Sequence, residues 1–410
     1  MHLPRRGPTA IFQFVDMTTI RPTTVEELRD FCVPGTAESR RILAVGGGTA
    51  LPPVGEEFVR LDTTAINQIV DYPSRDQTIT VAAGMTISAL QNTLKECGQT
   101  LPIEVPQADL ATVGGAIACD CSGPSRFGAG TFRDYVIGLS AVDGQGRLFS
   151  SGGRVVKNVA GYDLLKLMIG SRGRLGIITQ VTFKVRPLPA AQATVRAQFS
   201  QAEAADSAIA KLLNSATRPM ILDLSNSRSN RRICPNLSDS AKSSWTVWIG
   251  YRGSENEVSW QTDQVQSELA GQSQAMDLIV GPLADQIWQS LAEFHVNHEG
   301  PRQMVIRAEV LSSQAVAWMK TANDEGLELL ARAGNGVVWA RLPESASSPA
   351  AAELLVKPLA SRATTLGGRL QQWLPVPVSD STSPSPPSPV HSLAEKIKAT
   401  FDPQRQFADW

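Results

Sequence analysis

Cysteine and histidine are both scarce in this chain of 410 residues, and their placement excludes several chemistries. The five cysteines, at 32, 97, 119, 121 and 234, contain no C-x-x-C run. That excludes an iron–sulfur cluster or structural zinc held by this chain alone, and the spacing suggests no disulfide relay. The odd count and the lack of framework spacing fit reduced thiols. The four histidines are His2, His295, His298 and His391. Charge of one sign is also missing: the net charge of -1 argues against a general polyanion binder or an electrostatic membrane anchor. No apolar run approaches the length of a spanning helix. The stretch "MHLPRRGPTAIFQFVDM" has basic residues but no sustained apolar segment and no small-residue cleavage site, so the expected location is cytoplasmic.

What is present is an ordinary globular composition. With 42% hydrophobic and 19% charged residues the chain can bury a large core, and its length favours two domains. "PTTVEELRDFC" opens with Thr23 and Thr24, each with a glutamate three residues on, which predicts a capped helix start. "RILAV" and "FVRLD" read as short strands, "TITVAAG" as an alternating strand, and "TISALQNTLKECG" as a helix with a terminal glycine. "GYDLLKLMIGSRGRLGIITQVTFKVRPLP" gives a helix, a glycine-rich turn and a strand. Beyond residue 190 glycine thins out, tryptophan becomes frequent, and alternating strand and helix patterns predict β-α-β units on one sheet. "SDSTSPSPPSPVH" (379–391) is expected to be a flexible insertion, and "SLAEKIKATFDP" a closing helix.

The glycines need a reason. In "ILAVGGGTALPPVG" a dinucleotide fingerprint anchored on Gly46 and Gly48 would place its last glycine on Leu51. Pro52 and Pro53 follow, and paired prolines there rule out the required helix. Glycine loops without a helix still suit phosphates, because backbone lacking Cβ can turn successive N–H groups into an anion-binding concavity. A tight surface turn is the alternative for an isolated triplet. A second cluster, "TVGGAIACDCSG", shifts the balance towards a large ligand lying against bare backbone.

Four pieces in order, "GGGT" (46–49), "TVGGAIA" (112–118), "GPSRFGAGTFRDYVIG" (123–138) and "GYDLLKLMIGSRGRLGIIT" (161–179), carry a specific resemblance. Residues 12–190 resemble the FAD-binding domain of the vanillyl-alcohol oxidase, or p-cresol methylhydroxylase (PCMH), superfamily, and are most similar to FAD-binding subunits of glycolate oxidase (glycolate dehydrogenase). The implied fold is α+β: a PCMH-type FAD-binding domain of two α/β subdomains (12–190), then a ferredoxin-like cap domain (191–378). The insertion at 379–391 and a C-terminal helix and tail at 392–410 complete the chain. Carried over by position, Gly46, Gly47, Gly48 and Thr49 would cradle the diphosphate. Thr112, Val113, Gly114, Gly115, Ala118 and Cys119 would line the flavin and ribityl side. Ser122, Gly123 and Gly128 would continue that wall, and Gly176, Ile177 and Ile178 would approach the adenine end.

The resemblance also implies non-covalent FAD, since no histidine lies near either glycine loop. Cys119 and Cys121 could form a thioether to the flavin or be small packing residues. The implied partners are a paralogous FAD-containing catalytic subunit, an iron–sulfur subunit and a small 2-hydroxy acid, with membrane association only through the complex. No metal or nucleic acid is expected. The histidine-rich cap motif of the catalytic relatives is missing, so no catalytic base is assigned. "HVNH" would put His295 and His298 on one helical face, without an acidic third ligand. Arg126, Lys157 and Asn158 could meet an acid or a flavin carbonyl, or form structural ion pairs. Tyr162 and Asp163 could be a buried packing and capping pair. Trp245 and Trp248, at strand spacing, could mark a substrate or electron path or an interface anchor, with core packing as the alternative.

Overall fold

The computed structural model describes residues 18–35, 41–50, 58–154, 163–237, 244–296, 303–374 and 389–408. Lys157, Asn158, Tyr162, His298 and most of the serine- and proline-rich tract lie outside these residues.

The chain first builds a three-stranded parallel sheet with Phe58–Asp62 between Thr19–Ile20 and Arg41–Val45. The helix Val25–Cys32 packs on it, burying Leu28 and Cys32. The expected start signal is used: Thr24 accepts the amide of Glu27, and the Glu27 carboxylate accepts the amide of Thr23. A five-stranded antiparallel sheet follows, in the order Ile69–Asp71, Thr78–Ala82, Ile177–Lys184, Val136–Val142, Leu148–Gly152. The helix Ile87–Glu96 buries Ile87, Leu90 and Leu94, one helical stripe, in a core shared with Val81, Val113, Ile117 and Phe183.

The cap is an eight-stranded antiparallel sheet made of two consecutive ferredoxin-like βαββαβ units. The first has strands Ala191–Phe199, Ile221–Asn226, Trp245–Gly253 and Ala275–Val280, with helices Ala202–Leu213 and Glu255–Leu269. The second has strands Val305–Glu309, Glu328–Arg332, Val337–Arg341 and Arg369–Leu374, with helices Ala315–Asp324 and Pro349–Thr365. Edge pairing of Asp223 with Arg332 fuses the two sheets, and the two side chains form a buried ion pair there. The repeated helices cover one face of the joint sheet. The helix Pro282–Glu293 covers part of the other, burying Trp288.

Trp245 and Trp248 belong to the core. Their odd separation places them on opposite faces of one strand, in different apolar clusters, and both are buried. The indole of Trp248 donates to Ser225 Oγ and that of Trp288 to Thr194 Oγ1. An interface anchored on these tryptophans is therefore not available; of the cap tryptophans with described side chains, Trp260 alone is largely exposed.

The C-terminal helix, Pro389–Phe401, begins inside the tract expected to be an insertion, its first turn tolerating the proline. It returns the chain to the first subdomain. There Ile42 donates its amide to Gln406 O and pairs with Phe407 in a parallel bridge.

Candidate functional site

The strand Arg41–Val45 delivers Gly46, Gly47 and Gly48 to the junction of the two subdomains. Each glycine has its own reason. A Cβ on Gly46 would collide with Thr112 Oγ1, and one on Gly47 with the carbonyl of Leu110. These two residues let the two loops touch. Gly48 has φ of +70° and nothing within 4 Å of a notional Cβ, so it faces open space in a left-handed conformation. Gly115 and Gly173 are similarly open, Gly115 meeting only Thr112 Oγ1 at 3.1 Å.

The open glycines line one cleft enclosing about 150 Å³. Its walls include Gly46, Gly47, Gly48, Thr49, Thr112, Gly114, Gly115, Ala118, Cys119, Gly176, Ile177 and Ile178. Four expected residues lie elsewhere. Val113 is fully buried in the core. Ser122 Oγ accepts from Arg126 Nη1 at 2.9 Å. A Cβ on Gly123 would come within 2.6 Å of Glu104 Cβ, and one on Gly128 within 2.6 Å of Met220 Cα in the cap. The last two glycines thus serve loop packing and cap contact. Sequence reasoning missed Thr63, Arg172 and Gly173, which complete the wall. Arg172 and Gly173 lay within the quoted "GSRGRLGIIT", so their signal was available.

Arg172 supplies the cleft's positive charge. It is held at φ of +53°, and its amide donates to Ala118 O at 2.7 Å. A cationic side chain over bare glycine backbone suits a dinucleotide diphosphate. The enclosed volume is below the ~300–1,000 Å³ of whole-ligand pockets, so it would grip one segment of a long ligand whose ends run on along the walls. A metal site does not compete: among the described residues no group of three or more histidine, cysteine or acidic side chains could hold an ion.

Where the cleft meets the cap, charge accumulates. Asp120 lies 3.9 Å from Arg126, and burial raises its carboxyl above the usual range against the pull of Arg126, Arg133 and Arg307. Arg307 comes from the cap strand Val305–Glu309 and bonds Glu309 at 2.7 Å. Burial lowers its affinity for a proton, and nearby Arg126 and Arg172 act in the same direction. Asp163 is exposed and pairs with Lys166 at 3.2 Å, without capping its helix.

His295 lies beyond the end of the helix Pro282–Glu293, and its expected partner His298 lies outside the described residues. The His295 ring stacks on Trp339 at 4.1 Å, and Arg307 lies 5.4 Å from the same indole. Burial, reinforced by Arg332, Arg307 and Arg341, pushes its pKa down to about 3. An unfolded histidine titrates near 6.5, so the neutral native ring adds stability that is complete above that value and lost as pH falls towards 3. Asp223 acts oppositely: burial pushes its carboxyl up to about 6, favouring protonated native protein on acidification. The difference between wild type and His295→Phe isolates the histidine. Urea midpoints measured from pH 7.5 to 5 are expected to fall more steeply for wild type; parallel curves would contradict the assignment.

Comparison with known proteins agrees with the cleft. Residues 18–152 match the family described as an FAD binding domain. The glycolate oxidase subunit GlcE of Escherichia coli (strain K12) is 41% identical over 145 residues, which are 35% of this chain and 41% of that protein. A D-lactate dehydrogenase of Archaeoglobus fulgidus is 33% identical over 187 residues, 45% of this chain and 41% of that one. The aligned regions thus span about two-fifths of these relatives. Among solved structures, an alkyldihydroxyacetonephosphate synthase superposes with a TM-score of 0.68 at 19% identity, over 95% of this chain and 75% of its own. Residues 18–152 therefore resemble an FAD binding domain, and the chain shares the overall fold of that synthase.

Proposed function

We propose that this chain is the FAD-binding subunit of a glycolate dehydrogenase complex that oxidises a small 2-hydroxy acid and passes electrons to an iron–sulfur subunit. The observation that carries the reading is the cleft of open glycines and Arg172 beside the arginines of the cap junction. FAD held there would accept the substrate's electron pair. The glycine loops and Arg172 would hold its diphosphate, with no histidine at either loop for a covalent link, and the cap would exclude water from the junction. Arg126 and Arg307 would orient a carboxylate approaching that junction. In this reading residues 12–190 and 191–378 act as the flavin domain and the cap, and the complex works in the cytoplasm.

A second reading is favoured by one observation. His295 is the cap's one histidine among the described residues, and burial against Trp339 with nearby arginines pushes its pKa down to about 3, too weak a base for a hydroxyl proton. A subunit relaying electrons, with acid–base work done by a paralogous catalytic subunit, fits that arrangement.

Glycolate-dependent dye reduction by the purified chain, alone and with its partner subunits, tests both. The expected outcome is no turnover alone and restored turnover in the complex. Full turnover by the isolated chain would overturn the subunit reading in favour of a free-standing oxidase.

A further inference from the structure

We propose that the outer edge of the strand Ala275–Val280, with the groove beside it, binds an extended, basic segment of a partner protein, which adds to the cap sheet as a further strand. The strand ends the eight-stranded sheet. It pairs with Ala191–Phe199 on one side, and among the described residues no strand pairs with the other. Such an edge presents a row of unpaired amides and carbonyls, which sheets commonly guard with charged side chains. This strand lacks that guard: its one charge, Asp277, engages Arg196 of the neighbouring strand at 3.4 Å. Leu278 and Val280, two residues apart and so on one face, are 47% and 61% exposed. The helix Glu255–Leu269 covers that face of the adjoining strand, where Val258 and Val265 pack with Ala193 and Val195, but it leaves these two side chains open.

The groove defines the partner's chemistry. It lies between the cap and the preceding domain and encloses about 2250 Å³. That is well above the ~300–1,000 Å³ of small-molecule pockets, so a polypeptide segment fits it better than a small ligand. Leu278 and Val280 line it, as does the half-exposed Leu188 from the facing domain. Its cations are Lys95, Arg186 and Arg252, and Arg252 is paired with Glu104 at 2.9 Å. Against them stand Asp109, Glu255, Glu257, Asp263 and Asp285, none paired with a cation among the described residues. A groove of this sign repels nucleic acid and anionic lipid and attracts a basic polypeptide. Backbone pairing would supply affinity, apolar side chains at alternate positions would cover Leu278 and Val280, and basic ones would meet the carboxylates. The groove shares no lining residue with the glycine cleft, so this binding is independent of the cofactor.

The test uses the full-length protein and a fluorescein-labelled octapeptide of alternating lysine and valine, followed by fluorescence anisotropy. Saturable binding is expected, with a loss of about 100-fold when the lysines are exchanged for glutamates. A peptide with proline at alternate valine positions lacks the amide donors for strand pairing and should not bind. Val280→Lys on the edge and Asp263→Lys on the helix should each weaken binding about tenfold, with an unchanged melting temperature because both side chains are exposed. Should either lysine variant misfold, Asp263→Asn keeps the shape and is expected to weaken binding in the same direction. No binding at about 1 mM peptide would overturn the proposal, as would equal affinity for the glutamate or proline peptide or full affinity in Val280→Lys. Self-association in sedimentation velocity that Val280→Lys abolishes would assign the edge to a second copy of this chain and overturn it too.

Discussion

Replacing Gly115 with valine is expected to strip the protein of flavin while leaving the apoprotein folded. Its notional Cβ meets only Thr112 Oγ1, at 3.1 Å, and otherwise points into the cleft. Helical backbone accepts valine at this position, so the added side chain takes space from the ligand rather than from the protein. Overpacking of about 3 kcal/mol against a bound ligand corresponds to a loss of about 100-fold in affinity. Gly47→Val should behave differently. Its Cβ would strike the Leu110 carbonyl within the protein, so folding and flavin binding should fail together. Flavin content and apoprotein melting temperature, measured for both variants, separate the two cases. A Gly115→Val protein that keeps its flavin would show that this glycine does not face the ligand.

The second large effect is expected far from the cleft. Lys398 and Asp402, one helical turn apart, are buried almost completely and paired at 2.6 Å. The ammonium group also donates to Arg174 O at 2.9 Å and Phe407 O at 3.2 Å. Asp402 accepts the amides of Gln406 and Phe407, so the pair fixes the tail that bridges to Ile42. Lys398→Met removes one partner and leaves a buried carboxylate, a change that costs about 3–5 kcal/mol. The measurement is a urea midpoint at neutral pH. Because the tail packs beside the strand that delivers the glycine loop, flavin affinity should weaken as well. A loss below about 1 kcal/mol would mean that the tail contributes little to the first subdomain.

Much of this architecture was legible because local signals carried it. The cap at Thr24, the stripe of Ile87, Leu90 and Leu94, and the alternating cap strands each depend on neighbours in sequence. The glycine clusters marked where backbone must come close, but not to what. Gly46 and Gly47 answer to Thr112 and Leu110, more than sixty residues away, and no periodicity reports such a contact. The same limit hid the cap's contribution. Arg307 is an inconspicuous arginine in a strand until the sheet places it beside the cleft's cations. His295 looked helical by spacing, yet stacking on Trp339 beyond the helix end decides its setting.

The central claim, that this cleft holds FAD without a covalent bond, is tested most directly by denaturing the purified protein and analysing the supernatant. The account predicts a yellow protein that releases about one intact FAD per chain on acid or heat precipitation. Flavin remaining on the precipitated chain would contradict the non-covalent assignment. A colourless protein that takes up no FAD, even when made with its partner subunits, would contradict the cofactor assignment.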